Sequence, residues 1–417
     1  MRVLLMPVGS AGDVHPFVAL GLELRHRGHE VTVITGGHFA DLAARAGLGF
    51  AEGAPAEVYE KAIRDPDLWH PDRGFAAVCR FIVPALEHAF EVIRDHYEPG
   101  STVVVGSGLA FPARLAHDAL GVPLATVHLQ PACFWSSYST PLLHPGLAFP
   151  WPRAVRRLLR RLVDTRTDRT MAPAINALRA RLRLPPIRRV VFDWWHSPQR
   201  VIGLFPSWFA PPQLDWPPQT VLTGFPLYDE ADLAEPTAEL DAFLAEGSAP
   251  VVFAPGSSNI QAIRFFEAAL GACRMTGRRG LLLTRYAAQV PPALPPGVRH
   301  FPYVPFSRLL PHAAALVCHG GIGTLAQGLA AGVPHVVVPM SHDQPDNGAR
   351  IARIGVGTVI RSARLTAARL ARALDTVVAS QDVAARCADL AQRLGAERPI
   401  GRTCDEIEAL GGRDVGR

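Results

Sequence analysis

Cys318-His319-Gly320-Gly321-Ile322-Gly323-Thr324 decides how this chain is read, together with Ser341-His342-Asp343-Gln344-Pro345-Asp346-Asn347 one helix and one strand further on. The apolar run Ala313-Ala314-Ala315-Leu316-Val317 has strand length, and the glycines behind it cannot continue a strand. Thr324 to Ala331 then reads as a helix closed by Gly332. The glycines therefore fall on a strand-to-helix turn, where the free N–H groups and positive dipole end of a helix suit a diphosphate. His319 adds one more donor. The next strand, His335-Val336-Val337-Val338-Pro339, delivers Asp343 and Gln344 to the same rim of the sheet, where ligands of open α/β folds collect. A carboxylate and an amide there suit sugar hydroxyls. A lone Gly-Gly-x-Gly turn is as readily explained by close packing. His319, Gly321, Gly323, Thr324, Asp343 and Gln344 together form a correlated set that packing does not require.

The alternation of strand and helix extends through the chain. Val3 to Val8, the helix from Phe17 to Arg27 stopped by Gly28, and Glu30 to Thr35 make a βαβ opening. Further strands are expected at Thr102–Val105, Leu124–Val127 and Arg200–Leu204, then at Pro250–Pro255 and Gly280–Thr284. The sheets are therefore mostly parallel. A proline-rich stretch with Pro206, Pro211, Pro212, Pro217, Pro218 and Pro226 reads as a stiff connection between two halves. The expected division is 1–215, a linker over 216–249, a second domain over 250–395, and a C-terminal helix over 396–417 that packs back on the first domain.

At 417 residues the chain is long for one core, and a hydrophobic content of 48% can fill two. Neither a signal peptide nor a membrane-spanning run is read, so a cytoplasmic place is expected, with the inner face of the membrane as its nearest variant. The six cysteines form no C-x-x-C pair and read as reduced thiols. The net charge of +5 is partly local, because Arg153, Arg156, Arg157, Arg160, Arg161, Arg166 and Arg169 crowd one helix with Trp151, Leu158, Leu159 and Leu162. Such a helix suits peripheral contact with an anionic membrane, although a solvated face is the commoner outcome. No nucleic-acid motif accompanies the charge.

The loop Gly9-Ser10-Ala11-Gly12-Asp13-Val14-His15-Pro16 joins the first strand to the first helix and presents a carboxylate and an imidazole, both candidate general bases. Asp13 equally suits a helix cap, with Pro16 in the first turn. The spacing is not G-x-G-x-x-G, and the second strand ends at Thr35-Gly36-Gly37 without an acidic residue, which excludes a nicotinamide dinucleotide site.

The composite from His319 to Asn347 resembles the donor signature of inverting nucleotide-sugar glycosyltransferases of the two-Rossmann (GT-B) type. The strings Arg169–Asn176, Trp195-His196-Ser197-Pro198-Gln199 and Leu204–Gln213 resemble, more narrowly, the rhamnosyltransferases of rhamnolipid synthesis. The resemblance implies two Rossmann-like domains facing each other across a cleft, with the acceptor in the N-terminal and the donor in the C-terminal half. It implies transfer of a hexose, rhamnose from dTDP-rhamnose in the narrower likeness, to a hydroxyl of a hydrophobic acceptor such as a hydroxy fatty acyl lipid. Polyketides and sterols are alternative acceptors, and a nucleotide-sugar epimerase is an alternative reaction.

In that family the base follows the glycine of the first loop, as histidine in many members and aspartate in others. Here the position is Asp13, with His15 lining the acceptor pocket beside it. Gly256-Ser257-Ser258-Asn259 is by itself an ordinary turn, and the resemblance makes Ser257 and Ser258 phosphate contacts and Val304 part of the base-holding segment. Many members carry a glutamate for the ribose eight residues after the signature histidine. Gln327 stands there instead, which turns the expected donor from a uridine towards a thymidine diphosphate sugar. No metal and no cofactor are demanded. Asp346 and Asn347 are expected to cap the following helix, and Phe134 and Trp135 are candidate acceptor contacts that core packing also explains.

Overall fold

In a computed structural model, residues 1–144, 147, 149–233 and 238–412 are described. The chain divides into two compact units, Met1–Pro226 joined by the residues from Arg398 onward, and Leu227–Glu397.

The first unit is built on a sheet of β1 (Arg2–Met6), β2 (Glu30–Gly36), β3 (Gly49–Ala54), β4 (Thr102–Ser107), β5 (Leu124–His128), β6 (Arg200–Gly203) and β7 (Thr220–Leu222). Their order is β3-β2-β1-β4-β5-β6-β7 and every pairing is parallel. Such sheets are covered on both faces, so their inner strands read as continuous apolar runs. Val3, Leu4, Leu5, Val103, Val104 and Val105 are accordingly buried.

The second unit carries β8 (Val251–Ala254), β9 (Gly280–Leu283), β10 (Val298–Phe301), β11 (Ala315–Cys318), β12 (His335–Val337) and β13 (Gly357–Val359). The order β10-β9-β8-β11-β12-β13 is again fully parallel. In both orders the sequence of strands reverses direction beside the central β1 and β8, and in open α/β sheets that is where ligands bind, beyond the carboxyl ends of the strands.

Two expectations need correction. The first helix spans Ala11–His26 and so begins six residues earlier than read, with Pro16 inside it, where the proline supplies no N–H to the Gly12 carbonyl. The stretch expected as linker contains β7, paired to β6, and helix Ala238–Ala245, because Pro217 and Pro218 precede the strand instead of interrupting it and an edge position tolerates them. The C-terminal segment forms two helices, Gln381–Gly395 and Pro399–Gly411, the latter within the span expected for a C-terminal helix. The second of these belongs to the first unit: Arg27 reaches Asp405 at 2.6 Å and Glu408 at 2.9 Å, and Thr403 Oγ1 meets Thr223 Oγ1 at 2.8 Å.

Candidate functional site

In the second unit, β11 ends at Cys318 and helix Ile322–Ala330 begins with Gly321 as its N-cap. His319 sits between the two glycines that follow β8 and β11. A Cβ on Gly256 would lie 2.9 Å from its Nε2, and one on Gly321 would lie 2.5 Å away. Both positions are therefore closed to any side chain by the ring. Burial pushes the His319 pKa down to about 4 against an opposing hydrogen bond to the Ala254 backbone carbonyl, so the ring is neutral near pH 7. Its Nδ1 has no partner among the described residues. Gly323 and Thr324 fall in the first turn of the helix, and Gln327 is buried on it.

The second half of the signature is tied to the first by Asn347. This fully buried residue donates from Nδ2 to the Gly320 carbonyl at 3.0 Å and to Asp343 Oδ2 at 2.6 Å. Asp343 is the N-cap of helix Gln344–Ile354. Gln344 is turned inward: its Oε1 accepts the N–H groups of Met340 at 2.8 Å and Ser341 at 3.2 Å, so only its amide NH₂ end remains for a sugar. The expected capping by Asp346 and Asn347 is corrected, since both lie inside the helix. Asp346 pairs with Arg350 at 2.8 Å, with both side chains buried, while Asn347 joins the two loops. His342, with φ of 60°, holds the bend between them in a conformation rare for a residue with a side chain.

Ser257 is exposed and Ser258 buried in the turn after β8. That turn is fastened by Asn259, whose Oδ1 accepts from Gln261 N at 2.9 Å and whose carbonyl accepts from Gln289 Nε2 at 2.8 Å. Val304 is buried beyond the end of β10.

The first unit presents a simpler loop. Ser10 is the N-cap of helix Ala11–His26, and Asp13 Oδ2 accepts the Ser10 N–H at 2.7 Å and the Ser10 hydroxyl at 3.1 Å. The N-cap that one reading of the sequence gives to Asp13 is therefore Ser10, with Asp13 its reciprocal partner at the third helical position, one carboxylate oxygen being left for other work. Gly9, with φ of 140°, makes room for that carboxylate, because a Cβ there would overlap it. Burial raises the pKa of Asp13, opposed by the two hydrogen bonds from Ser10. His15 is half-buried two residues on, a spacing that turns it to a different side of the helix from Asp13.

Phe134 and Trp135 are both buried. Phe134 packs edge-on to His128 and Phe205 and lies 4.6 Å from Trp216 between ring centres, while Trp135 meets Phe192 edge-on. Both rings are packed among other aromatic side chains, where their apolar area is hidden. The string Trp195–Gln199 likewise does structural work: Ser197 Oγ donates to the Leu124 carbonyl at 2.6 Å and Gln199 Oε1 accepts Leu124 N at 2.8 Å, fixing the approach to β6 against β5. A buried chain unread in the sequence runs from Trp195 Nε1 to His196 Nε2 and from His196 Nδ1 to His128 Nε2, each link 3.0 Å long.

Comparison with known proteins places these two loops in context. Residues 3–128 match the family described as "Glycosyltransferase family 28 N-terminal domain", and residues 283–407 match "Erythromycin biosynthesis protein CIII-like, C-terminal domain". An O-mycaminosyltylonolide 6-deoxyallosyltransferase of Streptomyces fradiae is 32% identical over 435 aligned residues, spanning 98% of this chain and 97% of its own. Among solved structures, the glycotransferase of kitacinnamycin superposes with a TM-score of 0.74 at 24% identity and covers 98% of each chain. Glycosyltransferase VinC in complex with dTDP superposes with a TM-score of 0.73 at 19% identity, over 99% of this chain and 100% of that one. Both share the architecture of two parallel-sheet α/β domains.

Proposed function

Because the chain belongs to the glycosyltransferases that join a family 28 N-terminal domain to an erythromycin-biosynthesis-CIII-like C-terminal domain, we propose that it moves a deoxyhexose from a thymidine diphosphate sugar to a hydroxyl of a hydrophobic acceptor, with inversion. Rhamnose is the sugar in this reading and a hydroxy fatty acyl lipid the acceptor, bound by the N-terminal half while the C-terminal half holds the donor. Being a glycosyltransferase sets aside the epimerase alternative. The observation that carries the proposal is the clamp in the second unit, where the neutral His319 ring, the N-terminus of helix Ile322–Ala330 and Asp343 are joined through Asn347.

Asp13 takes the proton of the acceptor hydroxyl as its oxygen attacks the anomeric carbon. The bond from that carbon to the diphosphate breaks, and the nucleotide leaves with the electron pair. His319, Ser257, Ser258, Thr324 and the N–H groups at Gly321 and Gly323 face the negative charge that develops on the leaving group, where fixed donors need no reorganisation. Asp343 and the Gln344 amide hold sugar hydroxyls, and Val304 and Gln327 hold the nucleoside. A thymidine nucleotide is supported by the dTDP bound in the VinC complex and by a relative that transfers a 6-deoxy sugar. That same relative, named for O-mycaminosyltylonolide, favours a second reading in which the acceptor is a polyketide-type natural product. A UDP-sugar is the alternative donor.

The test incubates the full chain with a panel of dTDP- and UDP-sugars, with hydroxyacyl esters, polyketide aglycones or sterols, and follows nucleotide release and product mass. Release that depends on both a dTDP-deoxysugar and an acceptor is the expected result. Absence of acceptor-dependent release throughout the panel would overturn the proposal.

A further inference from the structure

Helix Arg153–Arg181 buries Asp164, Met171, Ile175, Leu178 and Arg179 against the first unit. Its opposite side departs from the usual polar surface. Leu158 and Leu162 are 56% and 59% exposed, and just before the helix Phe149 and Trp151 are 59% and 37% exposed, their rings 4.6 Å apart. Four of the ten large apolar side chains that stand exposed among the described residues thus lie within fourteen positions, between 149 and 162. Scattered apolar side chains need no explanation, whereas a run of them rimmed by charge marks a contact surface.

The spacing of four places Leu158 and Leu162 on one line along the helix and Arg157 and Arg161 on the line beside it. No carboxylate pairs with Arg157, Arg161 or Arg169 among the described residues. The two acidic residues of the helix are engaged elsewhere, Asp164 with the Arg189 guanidinium at 3.1 Å and Asp168 with the Arg189 N–H at 2.7 Å. The start of the helix is rigidly placed: the Arg153 guanidinium lies 3.7 Å over the Tyr138 ring, and Arg156 donates to the Tyr138 carbonyl at 2.7 Å.

We propose that the outward face of this helix, with Phe149 and Trp151, seats on an anionic lipid surface, the leucines and aromatics entering the headgroup boundary and the arginines meeting lipid phosphates. The composition is that of a helix lying in an interface, with Trp, Phe and Leu at the centre and arginine at the rim. A second copy of the chain is the weaker occupant, because a two-fold contact through this face would set one arginine row against another. The inference is independent of which acceptor is glycosylated, although a lipid surface is where a hydroxyacyl acceptor would partition.

Sedimentation of the full chain with vesicles of equal parts phosphatidylglycerol and phosphatidylcholine tests it, beside vesicles of phosphatidylcholine alone. Binding to the anionic vesicles only, reversed by salt, is expected. Arg157→Gln with Arg161→Gln should lower the partition coefficient roughly thirtyfold, from about 1 kcal/mol per arginine near such a surface, and Leu158→Ser with Leu162→Ser should abolish pelleting. Unchanged melting temperatures and unchanged nucleotide release with a water-soluble acceptor, measured without vesicles, show that the variants are folded and keep this test separate from that of the reaction. A wild-type chain that stays in the supernatant, or variants that bind as it does, would overturn the proposal. A dimer in light scattering that the leucine pair dissolves would instead give the face to a second copy.

Discussion

The loops proposed to carry the chemistry in the two units are held in place in different ways. From His319 to Asn347 residues distant in the chain take part in the bracing, Gly256 against the His319 ring and Asn347 on the Gly320 carbonyl, beside local contacts of Asn347 with the Asp343 carboxylate and of Gln344 with the backbone of 340 and 341. In the first loop the bracing of Asp13 is local, through Ser10 three residues before it. The contrast suits a division of labour in which one half meets a constant nucleotide and the other a variable acceptor. A clamp on a diphosphate gains from preorganisation, while a base must keep one oxygen open to whatever hydroxyl arrives.

Changing the groups on each side tests the contrast. The largest effect is expected from Asp13→Asn, which keeps the shape of the cap but removes the proton acceptor: turnover should fall by roughly two to four orders of magnitude, with donor affinity little changed in a nucleotide-binding titration. The wild-type rate should fall towards acid pH, and since burial raises the Asp13 pKa above 3.8, the fall should begin at higher pH than for an ordinary carboxylate. In Asn347→Ala the two bracing hydrogen bonds disappear together. Leaving the buried Gly320 carbonyl without this donor costs about 1–3 kcal/mol, and kcat/KM for the donor should drop roughly tenfold or more while acceptor KM stays put. An equal change in both constants would mean that the clamp is not specific to the donor.

Protons offer a comparison of the units as wholes. His319 and His335 in the second unit are held at about 4 by burial, and His196 in the first at about 3, all below the ordinary 6.5. Between those values the unfolded chain binds protons that the folded chain refuses, so stability should be level above pH 7 and decline as pH falls from about 6.5 towards 4. Calorimetry that shows only one unit losing stability would break the parallel. Ser10→Ala gives the smallest effect, roughly 1 kcal/mol of stability. Because it removes a hydrogen bond that lowers the Asp13 pKa, it should also move the acid limb of the rate profile to higher pH.

What the sequence reveals of this fold follows burial. The nine inner strands, β1, β2, β4, β5 and β6 in one sheet and β8, β9, β11 and β12 in the other, are legible as apolar runs because both of their faces are covered. The four that are not, β3, β7, β10 and β13, are the four edges. Gly49–Ala54 holds two glycines and a glutamate, and Thr220–Leu222 and Gly357–Val359 are only half-buried, so no apolar run marks them. The candidate site divides similarly. Asp13, His319 and Asp343 are legible because each follows a strand at a turn, whereas the bracing role of Asn347 depends on Gly320, twenty-seven residues away, which no local pattern announces. Phe134 and Trp135 show the converse: aromatic residues suggest a ligand surface, and only packing reveals that these two are core.

The central claim is transfer from a thymidine diphosphate sugar to an acceptor oxygen. It is tested most directly by the mass and anomeric configuration of the product formed from dTDP-rhamnose and a hydroxyacyl ester. One rhamnosyl group added at the hydroxyl, with the configuration opposite to that of the donor and in amounts equal to the dTDP released, is the predicted result. Free rhamnose alone, or a product of retained configuration, would contradict it.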